Sequence, residues 1–66
     1  MLYKEFKEKY YKENVWLEVY DSRDTLVVAG KFGMIDVNDN AEVELLSASQ
    51  DLLTFAIFVD SSQILD

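Results

Sequence analysis

Residues 52–59 read Leu-Leu-Thr-Phe-Ala-Ile-Phe-Val, and Thr54 is the single polar side chain among them. An apolar run of this length, bounded by Ser47–Asp51 before it and by Asp60, Ser61 and Ser62 after it, predicts a strand over about 52–60 that is covered on both faces. Residues 63–66 leave room for a fifth strand of at most four residues. Toward the N-terminus, Ala41, Val43 and Leu45 alternate with Glu42 and Glu44, which predicts a strand over 41–47 with an acidic outer face. Asp36 to Asn40 is a polar turn. Residues 25–36 form a long β-prone stretch interrupted by Gly30 and Gly33, and glycine inside a strand marks a bend or a close backbone approach. Asp21, Ser22, Arg23 and Asp24 are a turn cluster. Val15, Leu17 and Val19 alternate with Trp16, Glu18 and Tyr20, a half-buried strand over 15–20.

Before Asn14 the period changes. Leu2, Phe6 and Tyr10 fall at i, i+4 and i+8 with Tyr3 beside them, and Glu5–Lys9 and Glu8–Lys12 are i,i+4 pairs in the favourable order, so 2–13 reads as a helix with one aromatic stripe docked on the domain. The predicted fold class is mostly β: an N-terminal α-helix followed by a small, bent, five-stranded antiparallel barrel of SH3 type, with 1–66 as a single domain.

Sixty-six residues bury little surface, and chains this short usually lean on disulfides, a metal or a partner subunit. There is no cysteine and no histidine, which removes a disulfide framework, zinc chemistry, thiol catalysis and a Ser-His dyad together. Self-association is the remaining expectation. No run of apolar residues reaches membrane-spanning length and no apolar leader stands at the start, which suits a soluble cytoplasmic protein with no membrane partner. Ser61 and Ser62 have no adjacent base and the carboxylates show no recognisable pairing, so an enzyme is not expected and no cofactor is implied. Asp36, Asn38 and Asn40 are spaced as the first three ligands of a calcium loop. However, Ala41 stands where that loop needs glycine and Ser47 where it needs glutamate, so no metal site is expected.

Six basic residues against thirteen acidic ones give a net charge of −7. The imbalance is uneven: Lys4, Lys7, Lys9 and Lys12 slightly outweigh the acids of the first fourteen residues, while the rest of the chain opposes Arg23 and Lys31 to ten acids. Such a body repels a phosphate backbone and gains nothing from counterion release. Nucleic acid would have to approach by the lysines of the first segment or by local pockets that tolerate the unfavourable field.

One constellation is more specific. Gly30, Phe32, Ile35, Asp36, Asn40, Ala41 and Val43 stand at the offsets of the first Sm motif. The apolar Ile57-Phe58-Val59, followed by Asp60, Ser61 and then Ile64-Leu65, follows the pattern of the second, with Asp60 in place of its arginine and Ser61 in place of its glycine. The chain thus resembles the Sm-like (LSm/Hfq-type) superfamily along nearly its whole length. That resemblance implies a homo-oligomeric ring of roughly five to seven subunits, in which the fourth strand of one copy pairs with the fifth of the next, a heterologous contact repeated until it closes. The interface would then fall on Leu52, Leu53, Phe55, Ile57, Phe58, Ile64 and Leu65. An unprotected apolar strand edge is in any case an aggregation hazard that a neighbour would cover.

The resemblance also implies a pocket for single-stranded, U-rich RNA, with Asn40 bonding the base edge, Asp36 orienting it, and Asn38, Asp60 and Ser61 completing the site. Here Asn38 replaces a stacking ring and Asp60 replaces a cation, which weakens the pocket. Three roles follow as expectations: a ring serving as a structural or protein-interaction module, a U-rich RNA-binding ring, and an acidic mimic of nucleic acid that occupies a DNA- or RNA-binding protein. Brevity and acidity associate the last with phage-encoded proteins.

Overall fold

The computed structural model describes residues 1–21 and 24–65; Ser22 and Arg23 of the first turn cluster, and Asp66, lie outside the described residues. Helix α1 spans Tyr3–Tyr10. Its first turn is fastened by Glu5, whose Oε1 accepts the Leu2 N–H at 2.8 Å and places a carboxylate where the helix dipole favours one. Tyr3 and Phe6 are buried, with Tyr10 half-buried beside them, so the docked stripe begins at Tyr3 rather than Leu2. The helix ends before the expected 13 because Tyr11 is already extended, and its ring stands edge-on to Phe32 at 5.3 Å.

Four strands follow: β1 Trp16–Tyr20, β2 Leu26–Lys31, β3 Val43–Ala48 and β4 Thr54–Val59. They form one sheet in the order β2-β1-β4-β3. β1 pairs antiparallel with β2 and β3 pairs antiparallel with β4, but β1 and β4 run parallel, from Trp16↔Thr54 to Tyr20↔Phe58. Two hairpins are thus joined along a parallel seam, and the chain crosses between them through residues 32–42.

This corrects the predicted barrel in two respects. First, the sheet is mixed rather than antiparallel, because the crossover returns the chain so that β4 enters alongside β1 in the same direction. Second, the described residues hold four strands. In place of a strand over 63–66 there is a 3₁₀ turn at Ser61–Gln63, after which Ile64 makes an isolated bridge to Val37. The cause is local: Asp60 Oδ1 accepts from both the Ser62 N–H (3.0 Å) and the Ser62 hydroxyl (2.9 Å), folding the chain over before it can extend. Similarly, the long stretch 25–36 stops being a strand at Lys31, where Phe32–Met34 closes into another 3₁₀ turn. Gly30 does not bend it. Gly30 lies within β2, its φ is not positive, and a Cβ placed on it would meet nothing within 4 Å.

The core lies on one face of the sheet. Leu17 and Val19 of β1, Phe55, Ile57 and Val59 of β4, and Val43 of β3 point inward and are essentially inaccessible. Phe6 closes over them, stacked with Phe32 at 5.4 Å and edge-on to Phe55 at 5.7 Å. Ile35, Val37 and Ala41 of the crossover complete the lid. The aromatic stripe of α1 therefore docks on the domain, as its spacing predicts. The apolar run 54–59 is the second interior strand, which is why nearly all of it is hydrophobic.

Candidate functional site

Both edges of β4 are filled within the chain, by β1 on one side and β3 on the other. The residues nominated as a ring interface are consequently dispersed: Phe55 and Ile57 lie in the core, Leu53, Phe58 and Ile64 are partly covered, and Leu52 and Leu65 are exposed. An interface made by pairing β4 with a neighbour has no free β4 edge to use. The parallel β1–β4 seam, which periodicity does not reveal, is the reason.

The two segments nominated for RNA run side by side at residues 36–38 and 63–65. Val37 bridges Ile64, the Asn38 N–H bonds Gln63 O at 2.9 Å, Asn38 Nδ2 bonds Gln63 Oε1 at 3.0 Å, and the Leu65 N–H bonds Asp36 O at 2.8 Å. The segments around Asp36–Asn40 and Asp60–Leu65 are therefore neighbours, but their side chains hold the turns together. Asn38 Oδ1 accepts the Asn40 N–H at 3.0 Å, so the amide that stands in place of a stacking ring, and at the second ligand position of the calcium-loop spacing, is engaged at both ends. Hydrogen bonds from the Ser62 N–H and then the Ser62 hydroxyl hold the Asp60 carboxyl below its ordinary range. Asn40 and Ser61 are exposed.

Asp36 lines an open groove of about 740 Å³ between α1 and the 3₁₀ turn at Phe32–Met34, together with Lys7, Glu8, Tyr11 and Met34. The cation there, Lys7, is bound to Asp39 Oδ1 at 2.8 Å. Beneath it Tyr3 is buried with its hydroxyl unpartnered, and burial, then the charges of Asp36 and Asp39, push its pKa up to about 12. A phosphate entering this groove would meet Asp36 and Asp39, with the Lys7 ammonium that lines it already engaged by Asp39. Among the described residues no cluster of acidic side chains is arranged to hold a metal ion.

A different surface carries more chemistry. α1 and the crossover both pack on the inner face of the sheet; on the outer face Trp16, Leu26 and Thr54 are exposed, Glu18, Tyr20 and Phe58 are half-buried, and Ala56 is buried among them. Strand alternation places Trp16, Glu18 and Tyr20 of β1 on that face, with Thr54, Ala56 and Phe58 beside them on β4. The cross-strand register sets two informative rows. Leu26, Tyr20, Phe58 and Glu44 run across one end, and Lys31, Trp16 and Thr54 across the other, with Glu18 between them opposite Ala29 and Ala56. Trp16 is 44% exposed and Leu26 49%. Tyr20 donates its hydroxyl to Glu18 Oε1 at 3.2 Å, a bond that raises the pKa of the phenol and fixes the carboxylate between the two rings of β1. Among the described residues the face is thus an aromatic platform with one oriented carboxylate near its centre, a second at Glu44, and Lys31 at its margin.

By spacing alone Trp16, Glu18 and Tyr20 are only the outward half of an alternating strand. The signal in the sequence was that this outward half is aromatic where water-facing positions are usually polar. Phe58 could not be assigned to either face from a continuous apolar run.

No family model, curated protein or solved structure matches this chain.

Proposed function

We propose that the chain is a protein-interaction module that takes a cationic segment of another protein on the outer face of its sheet. The observation that carries this reading is Glu18, held by the Tyr20 hydroxyl and flanked along β1 by the exposed Trp16. Large aromatic side chains supply contact area at low entropic cost and dominate the energetics of protein interfaces. A carboxylate between such rings suits a guanidinium, which can bond the carboxylate through its planar fork and lie on an aromatic face at the same time. The net charge of −7 adds long-range steering toward a basic partner. Cationic exposed surfaces are characteristic of proteins that bind nucleic acid, so occupying such a surface is the biological form this reading favours. The acidic surroundings of Asp36, Asn40 and Asp60 argue against direct RNA binding.

Trp16 is the only tryptophan and lies on the face in question, so its fluorescence reports docking directly. A peptide alternating arginine and leucine should shift Trp16 emission saturably, and binding should weaken as salt rises. Glu18→Ala should reduce affinity about tenfold or more, in line with loss of a charge-assisted bond at a desolvated contact. A Trp16 response to oligo-U but not to the arginine peptide, or no response to either, would refute the reading.

A further inference from the structure

β2 ends the sheet on one side, and nothing in its sequence guards that edge. Residues 26–30 are Leu-Val-Val-Ala-Gly, with no proline and with no charge before Lys31. Natural edge strands are ordinarily blunted by charge, proline or cover, because unpaired N–H and C=O groups are a template for another strand. The opposite edge is treated differently. At the start of β3 the Val43 N–H bonds Met1 O at 2.7 Å and Leu2 bridges Glu42, so the N-terminal segment covers it, and a bulge at Leu46 interrupts what remains.

The free groups on β2 can be assigned. The Phe32 N–H bonds Val15 O at 2.8 Å, which makes 15/32 a bonded pair; antiparallel alternation then makes 17/30 and 19/28 bonded pairs and turns the backbone groups of Ala29 and Lys31 outward.

We infer that this edge pairs with β2 of a second copy, antiparallel, to give a two-fold dimer with one continuous eight-stranded sheet. Electrostatics and geometry both favour a copy of the same chain. Asp24 stands before the strand and Lys31 closes it, so antiparallel pairing brings the Lys31 end of each strand to the Asp24 end of the other, whereas parallel pairing would set Lys31 beside Lys31. The pairing is isologous, so it closes at two subunits and leaves no further β2 edge to propagate. A short chain without disulfide or metal also gains most from such a partner. The dimer rests on the strand edge and is independent of the docking reading, which uses the outer face.

Multi-angle light scattering across a dilution series should give twice the 7.7 kDa chain mass at high concentration, falling to the monomer on dilution. Ala29→Pro removes an outward N–H without touching the β1–β2 bonds and should raise the dimer dissociation constant about tenfold or more. Val27→Lys, at a position 44% exposed, should do the same by adding a charge to the edge. Leu46→Lys, on the opposite edge, should leave the dimer unchanged. Far-UV circular dichroism on each variant establishes that the fold persists. A monomer at every concentration, a dimer indifferent to both β2 substitutions while folded, or a larger closed ring would overturn the inference.

Discussion

Tyr3 carries a hydroxyl into a core that offers it no partner. A buried, unsatisfied hydroxyl costs about 1–3 kcal/mol, and the ring itself packs well, tilted against Phe32 at 6.2 Å. Tyr3→Phe keeps the ring and removes the orphan, so we expect a higher urea midpoint by about 1 kcal/mol of stability. The same residue makes a pH prediction. Its pKa is about 12 in the folded chain against 10.0 unfolded, so the folded state retains the proton over a range in which the unfolded state has lost it. Its contribution is complete below pH 10 and is lost as pH rises toward 12. The gap in stability between Tyr3→Phe and the parent chain should therefore widen across that window; a constant gap in urea melts at about pH 9 and about pH 11.5 would show that the hydroxyl is not buried in this way. Burial of Tyr3 was only half legible beforehand. The helical stripe places it near the docked face, but its unmet hydrogen bond depends on which crossover residues lie above it.

At the scale of elements, alternation and period were enough to locate the helix and four of the strands. Val15, Leu17 and Val19 point inward as their spacing predicts, and the helix places Phe6 and Tyr10 on the buried side. The ends of elements were less legible because side chains decide them locally. Tyr11 leaves the helix to cover Gly33, whose Cβ would lie 2.9 Å from the Tyr11 hydroxyl. Asp60 caps the turn that replaces the predicted fifth strand. That capping changes the meaning of a substitution suggested by the second Sm-like segment. Asp60→Arg, which on the sequence alone would install the missing cation and promote RNA binding, here deletes the acceptor of two Ser62 bonds. We expect it to lower thermal stability slightly above the ordinary carboxylate pKa of 3.8. The difference should shrink as pH falls through the depressed value of Asp60, where the cap is protonated in the parent chain too. Oligo-U binding should not appear; a base-selective complex with the Asp60→Arg chain would reinstate the pocket formed from Asp36, Asn40 and Ser61.

For the whole molecule the dominant quantity is charge. A net −7 is confined to a radius of gyration of 10.5 Å, comparable to the screening length at about 0.1 M salt, so most of the acids repel one another across the entire fold. Raising sodium chloride from about 20 mM to about 500 mM should stabilise the chain, because it screens this self-repulsion while the exposed Lys7–Asp39 and Met1–Glu42 pairs that it also weakens are each worth no more than about 1 kcal/mol. A thermal midpoint that falls with salt would mean that specific ion pairs, not self-repulsion, set the balance. No helix among the described residues is long and apolar enough to cross a membrane.

Composition and periodicity by themselves determined the mostly-β class with its leading helix, the acidity of the body, and the absence of thiol and imidazole chemistry. These are properties of residue types and of local spacing, and they survive any arrangement of the elements. Tertiary structure alone decided which strands are neighbours. An apolar strand such as β4 looks the same in sequence whether its missing hydrogen bonds come from another copy or from β1, because backbone groups are identical in every residue and carry no address. Once β1 takes that place, the unguarded edge passes from β4 to β2, and the outward side of β1 joins the outer face on which Trp16, Glu18 and Tyr20 stand together with Phe58.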